Sequence, residues 1–292
     1  MGVNLTELRL PHGIKVKNEI PLPDFTFPPL IEVAISVQFE PLSRLVVPEI
    51  GLLWQHYGSR FSHVEQRPPI EPRFEKLGVR VPLSQQPSFQ LFDTPPLPRI
   101  WFLDQSKREL LQIQQNRFIR NWRKIEDGDN YPRYDSHVRP RFLEDFDDFR
   151  EFLACNNIGK VVPNQCEVTY INHLKSGNIW TTHADIGKVF TFWNQDFGED
   201  LRFENEDASF QIRRLIKDPE GEFLGRLHIT LQSAFDENDD PLFVLTLIAR
   251  GRPLSNETEG IINFIDLGRE YIVRSFADIT RPELHQLWGR KD

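Results

Sequence analysis

Residues 30–40, LIEVAISVQFE, set Ile31, Val33, Ile35, Val37 and Phe39 against Glu32, Ala34, Ser36, Gln38 and Glu40. A period of two is that of a strand with one face in a core. The spacing then changes: Val46, Ile50, Leu53, Tyr57 and Phe61 recur at helical intervals behind Ser43, a residue suited to capping a helix. HVEQRPPI (63–70) and SFQLFDT (88–94) are short, proline-bounded stretches that suit edge strands, where a missing backbone N–H is tolerated. PRIWFLDQ and RELLQIQQNRFIRNWRK predict a hairpin turning near Gln105–Lys107. In VRPRFLEDFDDFREFLA, Phe142, Phe146, Phe149 and Leu153 share one helical face and the carboxylates are expected on the solvent face.

The second half runs in the same order. NQCEVTYINHL (164–174) alternates like the first strand, and Ile186, Val189 or Phe190, Trp193 and Phe197 form a helical stripe. ASFQIRRLIKD, GRLHITLQSAFDE and PLFVLTLIARG predict three strands joined by turns, before a helix from about Asn256 to Ser275. The expected fold is α+β: two internally duplicated β-α-β(n)-α halves with an antiparallel sheet and helices on one face. In element order alone this resembles the saddle of the TATA-binding protein, a likeness that implies no function. The expected divisions are an extended arm (1–28), a first half (29–160), a second half (161–280) and a tail (281–292).

Charge separates the halves. Net charge is −8; residues 1–150 hold 20 basic and 20 acidic side chains, and 151–292 hold 15 and 23. Such a balance argues against a broad phosphate-gripping surface. The longest apolar run, LFVLTLIA, is far short of the roughly 20 residues that span a bilayer, so no membrane association is expected. With no signal pattern at the start and only Cys155 and Cys166, the expectation is a cytoplasmic protein with free thiols. MGVNLT fits a myristoylation pattern, and Asn4 and Asn256 sit in glycosylation sequons, but motifs this short recur by chance.

Signatures of nucleotide, dinucleotide, zinc-protease and serine-hydrolase sites are missing from the chain. Cys155 at a helix end and Cys166 at a strand start read as small hydrophobic residues. His56 and His63 have no ligand-type neighbours at metal spacing, and DENDDP and EDGDN read as acidic turns, so neither metal nor cofactor is expected. The densest chemistry lies between Lys107 and Lys124, where six basic residues meet one acid. Read as one strand, this stretch puts Gln112, Gln114, Asn116, Phe118, Arg120 and Trp122 on one face, with Arg123 beside them. His228 and Gln232 belong to a polar strand face in the second half, and Trp288 in RPELHQLWG either anchors a docking tail or folds back on its own core, the second being the preferred reading.

PPLIEVAISVQFEPL (28–42), NWRKIEDGDNYPRY (121–134) and YIVRSFADITRPELHQLWG (271–289) together resemble a sporadically distributed, functionally uncharacterised prokaryotic protein family of about this length. The resemblance spans most of the chain after residue 28 and carries over no catalytic residue. Patchy occurrence of that kind is associated with defence and toxin-neutralising genes.

The resulting expectation is a non-enzymatic recognition or regulatory protein that binds another protein, with a homodimer as one form. The alternative is a nucleic-acid or nucleotide binder using residues 117–124, whose aromatics and arginines suit base stacking. A third reading is an enzyme with an unfamiliar site, marked by a pocket near Arg120, His173 and His228. A plain water-facing sheet surface accounts for the same polar pattern.

Overall fold

The structure is a computed structural model describing residues 21–76, 96–193, 205–218, 220–255 and 257–291. Residues 1–20 of the arm, the candidate strand 88–94, Phe197 and Asn256 lie outside the described residues. The described residues form an α+β fold in which nine strands make one antiparallel sheet. In chain order the strands are β1 (Leu30–Phe39), β2 (His63–Arg67), β3 (Arg99–Leu103), β4 (Glu109–Gln114), β5 (Arg117–Arg123), β6 (Pro163–Lys175), β7 (Phe210–Lys217), β8 (Phe223–Phe235) and β9 (Pro241–Gly251), in the sheet order β2-β3-β4-β5-β1-β6-β9-β8-β7. The helices are α1 (Val47–Tyr57), α2 (Arg139–Cys155), α3 (Ile186–Val189), α4 (Thr258–Ile279) and α5 (Pro282–Leu287). No described helix is long and apolar enough to cross a membrane. The chain divides into two compact units, Leu30–Asn172 and Met1–Pro29 with His173–Asp292, and passes between them within β6.

In the unit Leu30–Asn172, the alternation of β1 does what its period dictates: Val33, Ile35, Val37 and Phe39 are buried on the side where the helices lie. Phe118 of β5 meets Phe142, Phe146 and Phe149 of α2 at ring centroid distances of 6.1, 5.3 and 5.2 Å. Each such ring is worth about 3–5 kcal/mol on truncation to alanine. Tyr57 of α1 packs 5.4 Å from Phe102 of β3 on the same side. The start of α1 is capped by Glu49, whose carboxylate accepts the Val46 N–H at 3.3 Å, and not by Ser43. α1 stops at Gly58, so His56 and His63 share no helix; His56 instead bonds Asp148 at 2.9 Å.

In the other unit, α4 packs on β8 and β9 where two paired glycines, Gly225 and Gly251, leave room for the Phe264 ring. A Cβ on Gly251 would lie 2.4 Å from that ring and 2.3 Å from the Leu224 carbonyl oxygen, so the close approach requires glycine. The long stripe expected through Trp193 is a 3-10 turn, His183–Asp185, followed by the four residues of α3. Phe190 then leaves the helix for an isolated bridge to Thr280. The tail 281–291 packs on this unit rather than projecting from it. The N–H groups of Thr26 and Phe27 donate to the carbonyls of Gly289 and Trp288, both at 2.9 Å, and Trp288 lies 5.2 Å from Phe276. Element order recurs between the two halves, but among the described residues four strands follow the first helix of one half and three follow that of the other.

Candidate functional site: the polar sheet face of the first unit

Strand register decides which candidates meet. A turn at Gln115–Asn116 breaks the stretch 108–124 into β4 and β5, pairing Gln114 with Arg117, Gln112 with Ile119 and Leu110 with Asn121. Residues directly opposite one another in an antiparallel pair share a face. The expected single face 112–122 is therefore corrected: Gln112 and Gln114 lie with Arg117, Asn121 and Arg123, while Phe118, Arg120 and Trp122 point to the helix side.

There Arg120 is enclosed. Its Nε donates to Asp145 Oδ2 at 2.6 Å and its Nη2 to Glu109 Oε2 at 2.7 Å. Asp145, expected on the solvent face of α2, is fully buried and also pairs with Arg60. The network extends from Glu109 to His137 at 2.7 Å, and from Arg60 through Asp148 to His56. A network of this kind holds α1 and α2 to the sheet; Arg120 has no face to offer a partner. Trp122 is also buried, 5.5 Å from Tyr131.

On the opposite face, Gln114, Arg117, Gln38 and Gln165 stand in one register row across β4, β5, β1 and β6. Residues 70–75 run across this row as an irregular strap. The Ile70 N–H donates to Gln114 Oε1 at 2.9 Å and Gln114 Nε2 returns a bond to the Ile70 carbonyl at 3.0 Å. Further along, Arg73 and Glu75 donate their N–H groups to Gln38 and Gln165 at 2.8 and 3.3 Å. Gln114, a recognition candidate in the sequence, thus plays a structural part, because its amide satisfies backbone that would otherwise lie on the sheet without partners. Asn116, in the turn, accepts from Gln114 Nε2 at 2.5 Å.

Away from the strap the row changes character. Arg99 Nη1 donates to Gln112 Oε1 at 2.8 Å, Gln112 Nε2 donates to Asn121 Oδ1 at 2.8 Å, and Asn121 Nδ2 donates to Glu32 Oε1 at 2.5 Å. The chain crosses β3, β4, β5 and β1, and both amides are oriented by its charged ends, a cation on β3 and a carboxylate on β1. Burial pushes Glu32 above the usual carboxylate range, against the Asn121 hydrogen bond and the charge of Arg123.

At the cationic end lies Trp101. The guanidiniums of Arg67, Arg99 and Arg123 stand 4.6, 5.4 and 5.7 Å from its ring centroid. Arg67 pairs with Glu65, and Arg123 Nη2 donates to the Lys107 carbonyl at 2.9 Å. Among the described residues Arg99 and Arg123 pair with no carboxylate, and Trp101 Nε1, Arg99 Nε and Arg123 Nε have no acceptor. Burial, together with the nearby charge of Arg67, pulls Arg99 below the usual arginine range.

Of the sequence candidates, Gln112 and Arg123 belong to this cluster. His228, Gln232 and Trp288 belong to the other unit: His228 pairs across the ladder with Arg213 and Ile248, Gln232 with Val244, and Trp288 packs in the aromatic group with Phe25 and Phe276. Arg67, Arg99, Trp101, Asn121 and Glu32 escaped notice. Their signal was alternation in PRIWFLDQ, where Arg99 and Trp101 share a face and Ile100 and Phe102 take the core side. No described group of three His, Cys, Asp or Glu is arranged to hold a metal ion. Comparison with protein-family models, curated proteins and solved structures finds no match to this chain.

Proposed function

We propose that this is a recognition protein, and that the polar sheet face around Trp101 is the surface with which it engages another protein. The observation that carries the reading is the convergence of Arg67, Arg99 and Arg123 on one indole. Trp and Arg are the residues most enriched among energetic anchors of protein interfaces. The amide chain to Glu32 adds fixed donors and acceptors, and a pre-oriented surface loses less entropy on binding.

A protein partner suits this face better than a polyphosphate backbone does. Glu32, Glu65 and Glu167 are interspersed with the arginines on the same side of the sheet, and they would repel a run of phosphates. Arg120, Phe118 and Trp122, central to a nucleic-acid reading of residues 117–124, are buried. The test is purification from the native host under mild salt, with wild type and Trp101→Ala in parallel. Wild type is expected to carry a stoichiometric partner that the folded variant loses. Recovery of the wild-type protein alone, or equal recovery with both, would overturn the reading.

A further inference from the structure

We propose that β7 is a docking edge for an extended acidic segment of another protein, which adds to the sheet as an antiparallel strand. The edge lies in the unit that contains His173–Asp292 and is separate from the Trp101 face, so the inference goes beyond the recognition reading above.

The two ends of the strand order, β2 and β7, are each bonded to a neighbouring strand on one side among the described residues. An edge strand leaves alternate N–H and C=O groups pointing outward, where an added strand can pair with them. The two edges differ. β2 has five residues and runs into Pro68 and Pro69, which cannot donate to a ladder. β7 has eight residues, none of them proline or glycine, and Gln211, Arg213, Arg214 and Leu215 are exposed. A bulge between Ile216 and Lys217 ends its regular pairing with β8, so the open edge is residues 210–216.

The side chains of β7 decide what can pair with it. Ile212 and Arg214 stand on the α4 side, opposite Ile229 and Leu227, and Arg214 Nη1 reaches Ser275 Oγ and Asp278 Oδ2 of α4, both at 3.4 Å. Arg213 and Leu215 stand on the other side, opposite His228 and Arg226. Arg213 has no carboxylate partner among the described residues, and Leu215 is 43% exposed. A second copy of the chain is a poor occupant. When two β7 strands overlap fully about a twofold axis, Arg213 falls opposite its own copy, and in the register centred one residue further on Arg214 does. Like charges directly opposite destabilise a strand pair. The arginines therefore guard the edge against self-association, a common use of charge on exposed edges. The same two cations attract a strand of opposite sign. Ile212, Arg213, Arg214 and Leu215 call for apolar, acidic, acidic and apolar partners in turn. Asp207 before the strand and Asp218 after it would repel the acidic pair in slipped registers, which fixes the alignment.

The test follows backbone amide resonances of the full-length protein during titration with three capped peptides: Thr-Val-Glu-Glu-Val-Thr, its Thr-Val-Lys-Lys-Val-Thr counterpart, and the first peptide N-methylated throughout, which keeps its charges and loses its ladder N–H groups. The acidic peptide is expected to shift the β7 amides saturably and to slow their hydrogen exchange, and the other two are not. Arg213→Glu turns a favourable cross-strand pair into an unfavourable one at an exposed position, so it is expected to weaken the acidic peptide about tenfold and to admit the lysine peptide. No saturable shift in β7, or equal binding of the N-methylated or the lysine peptide to the wild type, overturns the docking edge. So do β7 signals that change with protein concentration alone, in step with a dimer in sedimentation, because a second copy then occupies the edge. Trp101→Ala is expected to leave the titration unchanged. If Trp101→Ala abolishes it, the peptide belongs to the Trp101 face and the β7 edge is refuted, whereas failure of the β7 titration leaves the Trp101 reading untouched.

Discussion

Asp145→Ala tests the charge network on the helix side of the sheet. Asp145 is fully buried and holds Arg120, itself 5% exposed, by a 2.6 Å bond. Removing the carboxylate leaves Arg120 with Glu109 as its one carboxylate among the described residues, beside the Asn121 carbonyl, and strips Arg60 of its better-shielded partner, leaving a pairing to Asp148 at 3.6 Å. Breaking a buried pair from one side costs about 3–5 kcal/mol, because the remaining charge has already lost its water. That is a large share of the roughly 5–15 kcal/mol that holds a domain folded. Arg120→Met leaves Asp145 with Arg60 and should cost a similar amount. The double variant Asp145→Leu with Arg120→Met removes both charges and fills the space, so it is expected to fall well short of the summed single losses, with a coupling of about 2 kcal/mol or more. Hydrogen exchange of the paired β4 and β5 amides measures the loss locally, within the unit that contains the network. Single losses under about 1 kcal/mol, or a double variant equal to the sum of its parts, would refute the account.

Other consequences follow from particular groups. Because burial raises the folded pKa of Glu32, its favourable contribution is complete below the ordinary carboxylate value and is lost as pH rises through the raised one. Glu32→Gln should therefore gain on wild type across that window in denaturation midpoint, and parallel midpoints would exclude it. One thiol, the exposed Cys155, should react with a disulfide reagent in the native protein, and a second only in denaturant, since Cys166 is fully buried and burial pushes its thiol up. Trp288→Ala, or removal of residues 281–292, should destabilise the unit containing α4, by about 2–3 kcal/mol for the half-buried indole, as read by urea unfolding. Gln114→Leu unpairs both polar groups of Ile70, so cleavage within residues 70–75 should quicken in limited proteolysis.

The parts legible in the sequence were those set by local periodicity. β1, β6, β8 and β9 alternate because one face of each meets a core, and α2 repeats phenylalanine at helical spacing for the same reason. The β4–β5 turn was not legible: it falls inside Gln114–Asn116, a run of amides with no glycine or proline to mark it. Missing that turn reversed the face of every residue from Phe118 to Trp122, since a hairpin carries cross-strand partners, not sequence parity, onto a common side. Asp145 was misjudged for a related reason. A carboxylate between two phenylalanines reads as solvated until the arginine opposite it is known, and Arg120 lies 25 residues away.

The polar face also explains why its amides lie where they do. At one end, glutamines on β4, β1 and β6 lie in register and accept backbone N–H groups from a strap running across them. A sheet face covered by irregular chain needs such groups, because hydrogen-bonding backbone shut away from water without partners is costly. At the other end the same residue type serves a different purpose. Gln112 and Asn121 bond to each other and to the groups at either end, which holds Arg99 against Trp101. Replacing Asn121 by leucine would cut this chain without touching the cluster directly. If the ladder orients Arg99, the substitution must weaken capture of the partner by the Trp101 face while leaving the strap in place; if capture is unchanged, the guanidinium is held by Trp101 alone.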